Sequence, residues 1–138
     1  MCLILDTNKY SNFLNSDDED MQPIRKWIKK GGKLAYAATE KFEFELNKTE
    51  KMKSQFAVYR ERGKVKLFDK KDVEDVQSSL SDLTSDDSHI LALALVANVK
   101  LLVSSDTKLH ADFKNIIEKG KIYQNKKHRS LLSATSCP

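Results

Sequence analysis

Apolar residues along this chain alternate between short, continuous runs and longer segments with a helical period. The short runs predict strands that are covered on both faces, because their apolar positions are consecutive rather than alternating. The longer segments predict helices packed on those strands, which gives a three-layer α/β/α fold with a mostly parallel sheet of four to five strands. The predicted strands are 2–5, 34–38, 65–68, 99–103 and 122–123, and the predicted helices are 9–14, 22–30, 40–62, 72–83, 90–99 and 107–119.

The length of 138 residues predicts one domain, large enough to bury about two thirds of its unfolded surface. We assign residues 1–128 to this domain and residues 129–138 to a tail without a readable pattern. No apolar run is long enough to cross a bilayer, and the N-terminal segment lacks the basic region of a signal peptide. Cys2 and Cys137 have no metal-ligand spacing, and two lone cysteines suit a reducing cytosol. We therefore expect a cytoplasmic protein.

The basic residues are unevenly distributed. The net charge is +4 and the pI is near 9.0, and 15 of the 24 lysines and arginines lie between Arg25 and Lys71. Such a surface attracts phosphate backbones, although lysines on long helices often do no more than keep a protein in solution. The acidic run 17–20 is interpreted as a solvated loop.

Four carboxylates are candidates for a common site. Asp6 and Asp106 each end a predicted buried strand, at the sheet edge where open α/β sheets bind ligands. Asp87 opens the apolar helix 90–99. Glu45 falls on the apolar face of the long predicted helix, whereas Glu43 lies to one side of it. Residues 42–46 also alternate like a strand, which would place both glutamates on one face.

Each acid also has an ordinary structural interpretation. Asp87 suits a helix N-terminus through capping and the helix dipole. Asp6 and Asp106 suit turns at strand ends, and Glu45 could pair with a lysine at the surface. The convergence of four acids at one predicted edge favours a metal site instead. The three histidines lack metal-ligand spacing and are interpreted as surface or boundary residues: His89, His110 and His128.

Taken in their order along the chain, the predicted strands, helices and acids resemble those of the PIN-domain ribonucleases, in particular the small, single-domain prokaryotic type that includes toxins. The resemblance runs from Leu3 to about Tyr123. It rests on LILDTN, on a glutamate followed by leucine in the helix after the second strand, on DSHILALA and on LLVSSD.

Two spacings connect the resemblance to particular acids. The family's aspartate is followed by apolar residues three, five and seven positions later, which fits Asp87 and not Asp86. Its glutamate usually lies six residues after a serine at the helix start, which points to Glu45, with Thr39 in place of the serine. This chain has Ser-Ser-Asp at 104–106 where the family often has Thr-Asn-Asp, a departure that keeps a hydroxyl beside the acid.

The resemblance implies a metal-dependent endoribonuclease that hydrolyses RNA by two-metal-type catalysis with Mg²⁺ or Mn²⁺, leaving a 5′-phosphate and a 3′-hydroxyl. These hard cations prefer oxygen ligands. Asp112 matches a position where some members carry a fifth acid, although a solvated surface role competes with this. The implied catalytic and metal-binding residues are Asp6, Glu45, Asp87 and Asp106, and the residues expected to orient them by hydrogen bonds are Thr7, Asn8 and Ser104.

Two other functions remain open. One is an inactive PIN-like module that binds RNA or protein, which the intact set of acids argues against. The other is a different α/β phosphohydrolase with a nucleophilic aspartate. Such enzymes commonly have a second aspartate two residues later, where this chain has Asn8.

The long predicted helix has two competing partners. Lys48, Lys51 and Lys53 are predicted to contact the RNA backbone. Phe44 and Val58 lie on the outer face of the same helix. Such apolar residues favour burial in a homodimer or against a protein inhibitor such as an antitoxin. Both hypotheses hold if the two partners share this face.

Overall fold

A computed structural model describes residues 2–133 and contains a central sheet of five strands. All four pairings between neighbouring strands are parallel, in the order β3-β2-β1-β4-β5. The predicted α/β/α fold with a parallel sheet is confirmed. The strands are β1 (Cys2–Leu5), β2 (Lys33–Tyr36), β3 (Val65–Leu67), β4 (Leu101–Val103) and β5 (Lys121–Tyr123).

The strand order reverses at the centre of the sheet. From β1 the chain builds toward one edge through β2 and β3, and it then adds β4 and β5 on the other side. Crossovers between parallel strands are almost always right-handed, so the helices of the two halves cover opposite faces. The carboxyl ends of β1 and β4 flank the reversal point, which is where open α/β sheets form a crevice.

Helices lie between the strands and after the last one. No helix within residues 2–133 is both long enough and apolar enough to cross a membrane. The α-helices are α1 (Tyr10–Leu14), α2 (Gln22–Lys29), α3 (Glu40–Asn47), α4 (Glu50–Glu61), α5 (Lys70–Ser79), α6 (Ser88–Ala97) and α7 (Thr107–Ile116), and short 3-10 helices cover Thr7–Lys9 and Lys126–Ser133.

The predicted helix 40–62 is two helices. Thr39 caps α3 as predicted, because its side chain accepts a hydrogen bond from the Phe42 amide. The chain leaves helical geometry at Thr49, which has φ −123° and ψ 90°. Asparagine and β-branched threonine are poor helix formers, and both occur at this break. The helical conformation of α3 also excludes the strand interpretation of residues 42–46.

The C-terminal 3-10 helix crosses the predicted end of the domain. It contacts α2 and β5, and Leu132 is buried in the hydrophobic core. Residues 134–138 lie outside the described part of the chain, so the division at residue 128 remains a prediction. Cys2 is not a free cysteine, which contradicts the prediction of lone cysteines, and Cys137 lies outside the described residues.

Candidate metal centre

The ends of the two central strands are joined by side-chain hydrogen bonds. Asp6 directly follows β1 and is only 4% exposed. The Ser104 hydroxyl, just after β4, donates to Oδ2 of Asp6 at 2.7 Å. The backbone amide of Asp106 donates to the same hydroxyl at 3.1 Å. Ser104 therefore holds both aspartates at the carboxyl edge of the sheet.

Thr7 connects this edge to helix α3. Its Oγ1 lies 3.0 Å from Oε2 of Glu45 and 3.3 Å from Oδ1 of Asp6. A hydroxyl has one proton to donate, so it bonds one of the two carboxylates at a time. The Glu45 side chain is 15% exposed and lies against the site rather than in solvent.

Asn8 supports the loop after β4. Its Nδ2 donates to the Ser104 hydroxyl at 3.4 Å, and its Oδ1 accepts from the Ser105 amide at 3.3 Å. Asn8 is itself exposed. Thr7 and Ser104 thus contact carboxylates directly, whereas Asn8 contacts the Ser104 hydroxyl that bonds Asp6.

Two nitrogen atoms of other side chains adjoin Glu45. His89 Nε2 lies 3.4 Å and Lys41 Nζ 3.6 Å from its Oε1. Burial raises the pKa of Glu45, but His89, Thr7 and Lys41 together outweigh burial, so the net pKa is lowered. Glu45 is therefore ionised at neutral pH.

Asp87 and Asp106 both occupy N-cap positions but use them differently. Oδ1 of Asp106 accepts from the amides of Lys108 at 2.9 Å and Leu109 at 3.2 Å, at the start of α7. Asp87 precedes α6, and its side chain makes no capping hydrogen bond. The capping interpretation therefore accounts for Asp106 and fails for Asp87. The neighbouring Asp86 is exposed.

The Asp87 carboxyl group lies in an environment that disfavours its charge. Burial raises its pKa to about 6, with further raising by Asp6, Glu45 and Asp106, while His89 partly offsets these effects. Burial likewise raises the pKa of Asp6, and the Glu45 charge adds to the rise. Strongly perturbed carboxyl groups of this kind cluster at functional sites.

Three donor atoms converge most closely. Ligand atoms of Glu45, Asp87 and His89 all lie within 4.8 Å of one another. Among residues 2–133, Asp6 and Asp106 do not belong to this tight group. Asp6 reaches Glu45 through Thr7, and Asp106 is linked to Asp6 through Ser104. The four predicted acids thus form one network, with His89 as an unpredicted fifth member.

The surface interpretation of His89 is wrong. The residue is 1% exposed and lies in the first turn of α6. Its ring packs edge-on against Phe42, with ring centroids 4.6 Å apart. A polar residue at the start of a helix that is apolar on nearly every side was the signal available in the sequence. His110 and His128 are half-buried boundary residues, as interpreted.

Asp112 is also buried, which contradicts its interpretation as a solvated surface residue. It is 5% exposed. Its carboxylate accepts hydrogen bonds from the backbone amides and hydroxyls of Thr84 and Ser85, at 2.8–3.1 Å. These two residues lie in the second half of the loop 80–87, which ends at Asp87, so Asp112 holds the chain just before α6.

The predicted RNA-binding lysines lie around the break between α3 and α4. Lys48, Lys51 and Lys53 are exposed. Lys48 Nζ lies 4.2 Å from the centre of the Phe44 ring. Phe44 is 56% exposed and Val58 is 38% exposed. The exposure of this face is therefore compatible with RNA binding by the lysines and with protein binding at the apolar residues.

Comparison with known proteins supports the fold. Neither a protein-family model nor a curated protein sequence matches this chain. The structure is similar to a chain in the crystal structure of VapBC2 from Rickettsia felis bound to a DNA fragment from their promoter. The TM-score is 0.52 at 15% sequence identity, over 88% of this chain and 97% of that chain. At this identity the likeness concerns the fold alone, and the chain has a PIN-like, three-layer α/β/α fold.

Proposed function

We propose that this protein is a metal-dependent endoribonuclease whose centre is formed by Asp6, Glu45, Asp87 and Asp106. The observation that carries the proposal is the environment of the Asp87 carboxyl group. Its carboxylate sits at a helix N-cap without capping the helix and adjoins Glu45, and burial together with the neighbouring acids raises its pKa to about 6. This repulsion destabilises the site until a cation binds.

The donor set fits Mg²⁺ or Mn²⁺. Both ions accept carboxylate oxygens, and Mg²⁺ is usually held by a few carboxylates plus water. Ser104 orients Asp6, and Thr7 lies between Asp6 and Glu45. These contacts hold the acids in place before a metal arrives, and such supporting partners tune metal affinity.

The proposed reaction is hydrolysis of an RNA phosphodiester. A bound divalent ion supplies charge stabilisation at the phosphate and lowers the pKa of water. The water oxygen becomes bonded to phosphorus, the bond to the 3′-oxygen breaks, and that oxygen takes up a proton. The products are a 5′-phosphate and a 3′-hydroxyl. The four acids would hold one or two ions, and two ions would match two-metal-type catalysis.

We extend the proposal to partners and location. The similar chain belongs to VapBC2, which was crystallised with promoter DNA. Together with the sequence resemblance to small toxins, this supports a protein antitoxin as inhibitor and the cytoplasm as the place of action. The exposed Phe44 and Val58 offer apolar area for that inhibitor or for a homodimer.

Incubation of the protein with mixed RNA and Mn²⁺ or Mg²⁺, with a chelator control, tests the activity. We expect cleavage only with metal, and end analysis should find 5′-phosphates. Asp86→Asn is a matched control at the exposed neighbour of Asp87 and should cleave like the parent protein. Intact RNA with a folded, metal-bound protein would favour the inactive binding module. Hydrolysis of small phosphate esters without RNA cleavage would favour the other phosphohydrolase.

A triple substitution of Lys48, Lys51 and Lys53 by alanine should weaken RNA binding and flatten its salt dependence. Each lost phosphate contact on a single strand lowers the slope of log affinity against log salt by about 0.7, so the slope should fall by up to about 2. Metal binding should be unchanged. RNA affinity measured over a range of salt concentrations, at constant metal concentration, gives both quantities.

A second triple variant controls for net charge. Lys114, Lys121 and Lys127 are also exposed, and their replacement by alanine removes the same charge from other elements. The slope should change less in this variant. Equal slopes in the two triple variants would show that RNA does not bind along the α3–α4 surface.

A further inference from the structure

His89 contains a buried nitrogen that lacks a hydrogen-bond partner. Among residues 2–133, its Nε2 has no such partner, and the residue is 1% exposed. Leaving a buried polar atom unpaired destabilises a folded protein. The edge-on contact with Phe42 restrains the imidazole ring. His89 is therefore positioned at the centre with a nitrogen that makes no hydrogen bond of normal geometry and has only a longer contact with Glu45.

The distance between His89 Nε2 and the Glu45 carboxylate indicates what the nitrogen could bind. Nε2 lies 3.4 Å from Oε1 of Glu45, beyond the usual 2.7–3.2 Å of an N–H···O hydrogen bond. Two ligand atoms bound at about 2.1 Å to one ion lie about 3.0 Å apart at an octahedral angle and about 3.4 Å apart at a tetrahedral angle. The separation thus suits two ligands of one ion.

Asp87 supplies a third donor. Its carboxylate oxygen lies within 4.8 Å of the donor atoms of both Glu45 and His89. Asp87 and His89 come from the start of α6, whereas Glu45 comes from α3. The contact between these two helices therefore assembles one nitrogen and two oxygen donors.

We propose that Glu45, Asp87 and His89 form a mixed nitrogen–oxygen metal site, and that His89 makes this centre prefer first-row transition ions over Mg²⁺. Imidazole is a good ligand for transition ions, whereas Mg²⁺ is bound mainly by oxygen. This deepens the proposed function, whose metal centre includes the same Glu45 and Asp87. The remaining acids, Asp6 and Asp106, supply oxygen donors for a second position.

The alternative role of His89 is that of a cation paired with Glu45. The two roles predict opposite effects when the imidazole is replaced by a neutral amide. If His89 is a metal ligand, its replacement should lower the affinity for transition ions and leave the affinity for Mg²⁺ nearly unchanged. Loss of a positive charge beside the acids removes repulsion of any cation, so affinity for all divalent ions should rise or stay the same.

Calorimetric titrations with Co²⁺ alone and Mg²⁺ alone separate the two roles. The parent protein should bind Co²⁺ at least about 10-fold more tightly than Mg²⁺. His89→Gln, which places an amide near the position of Nε2, should lose at least about 10-fold in Co²⁺ affinity, since even the partners of metal ligands contribute 10–100-fold. Its Mg²⁺ affinity should change much less. Equal changes for both ions, or a rise for both, would overturn the proposal.

Two controls complete the experiment. His128→Gln removes a half-buried histidine from the other side of β5 and should keep the Co²⁺ affinity of the parent protein. If His89→Gln does not fold, pulsed EPR of Mn²⁺ bound to His128→Gln provides a second measurement. An imidazole nitrogen coupling supports the site, and its absence with bound Mn²⁺ overturns it.

RNA cleavage distinguishes this inference from the proposed function. Tight, His89-dependent Co²⁺ binding without any RNA cleavage would overturn the ribonuclease proposal and leave the metal site intact. RNA cleavage with a Co²⁺ affinity that does not depend on His89 would overturn the metal site and leave the ribonuclease proposal intact.

Discussion

Replacement of Asp87 by asparagine should abolish metal-dependent RNA cleavage and make the metal-free protein more stable at neutral pH. Removal of a metal ligand should lower cleavage by more than about 100-fold, because loss of the partners that merely orient ligands already costs 10–100-fold. The gain in stability has a separate cause. The variant lacks a charge that burial and three neighbouring acids disfavour.

The expected pH dependence follows from the two pKa values of Asp87. The carboxyl group titrates near pH 3.9 in an unfolded chain and near pH 6 in the folded protein. Well below pH 4 both states are protonated, so Asp87 contributes nothing to stability, and near pH 4 its contribution is still small. Between these values the unfolded state loses its proton first, and stability falls as pH rises. The penalty is complete above about pH 6 and amounts to at most roughly 3 kcal/mol, reduced by water at this half-buried group.

Urea unfolding in a chelator at pH 4 and pH 7 measures this penalty. Asp87→Asn should match the parent protein at pH 4 and exceed it at pH 7. Added Mn²⁺ should stabilise the parent protein by mass action and stabilise the variant much less. A variant that is less stable than the parent protein at pH 7 without metal would show that Asp87 has a structural role.

Asp106 provides a contrast within the same site. Its Oδ1 caps α7, and asparagine is as good an N-cap as aspartate. Asp106→Asn should therefore lose cleavage while its metal-free stability stays at or above that of the parent protein. Asp106→Ala should lose about 1 kcal/mol, since alanine cannot cap. Only the alanine variant separates the structural contribution of Asp106 from its charge.

The sheet was predictable because its signals are local, and the four candidate acids were likewise proposed from local signals. Continuous apolar runs such as 101–103 identify buried strands, an aspartate that closely follows such a strand lies at the carboxyl edge, and Asp87 was proposed from its place at the start of an apolar helix. Glu45 was placed by helical periodicity. The break at Thr49 was not predicted, because the apolar positions 42, 46, 52 and 56 stay in phase across it. Residue type at 47 and 49 indicated the break, but the periodicity did not.

The roles of His89 and Asp112 could not be read from sequence. His89 meets Glu45 and Phe42 across more than 40 residues of chain, through the contact between α3 and α6. Asp112 meets Thr84 at a separation of 28 residues. Nothing in the residues near either side chain specifies those partners. Metal-ligand spacing is a local pattern, so it does not show that Glu45, which lies on another helix, comes beside His89.

Replacement of Asp112 by alanine should destabilise the protein by about 2–4 kcal/mol, because it removes the hydrogen bonds from Thr84 and Ser85 and leaves the donors of the buried Ser85 unpaired. Burial raises the pKa of Asp112, but the hydrogen bonds from Thr84 and Ser85 outweigh it and lower the net pKa. The stabilisation is therefore present above the unfolded pKa, near 3.9, and is lost as the pH falls through the folded value. Urea unfolding from pH 7 to pH 3 measures both effects.

Glu118→Gln is the control for this prediction, since Glu118 lies just after α7 and is exposed. It should leave stability nearly unchanged. The competing interpretation treats Asp112 as a fifth metal ligand, and the two interpretations differ without metal. If Asp112 is a structural residue that fixes the loop before Asp87, the alanine variant should be less stable than the parent protein in a chelator and should bind metal more weakly as an indirect effect. If Asp112 is a metal ligand, the variant should lose metal affinity while the metal-free variant stays as stable as the parent protein. The second outcome would assign Asp112 to the metal centre, despite the hydrogen bonds that occupy its carboxylate.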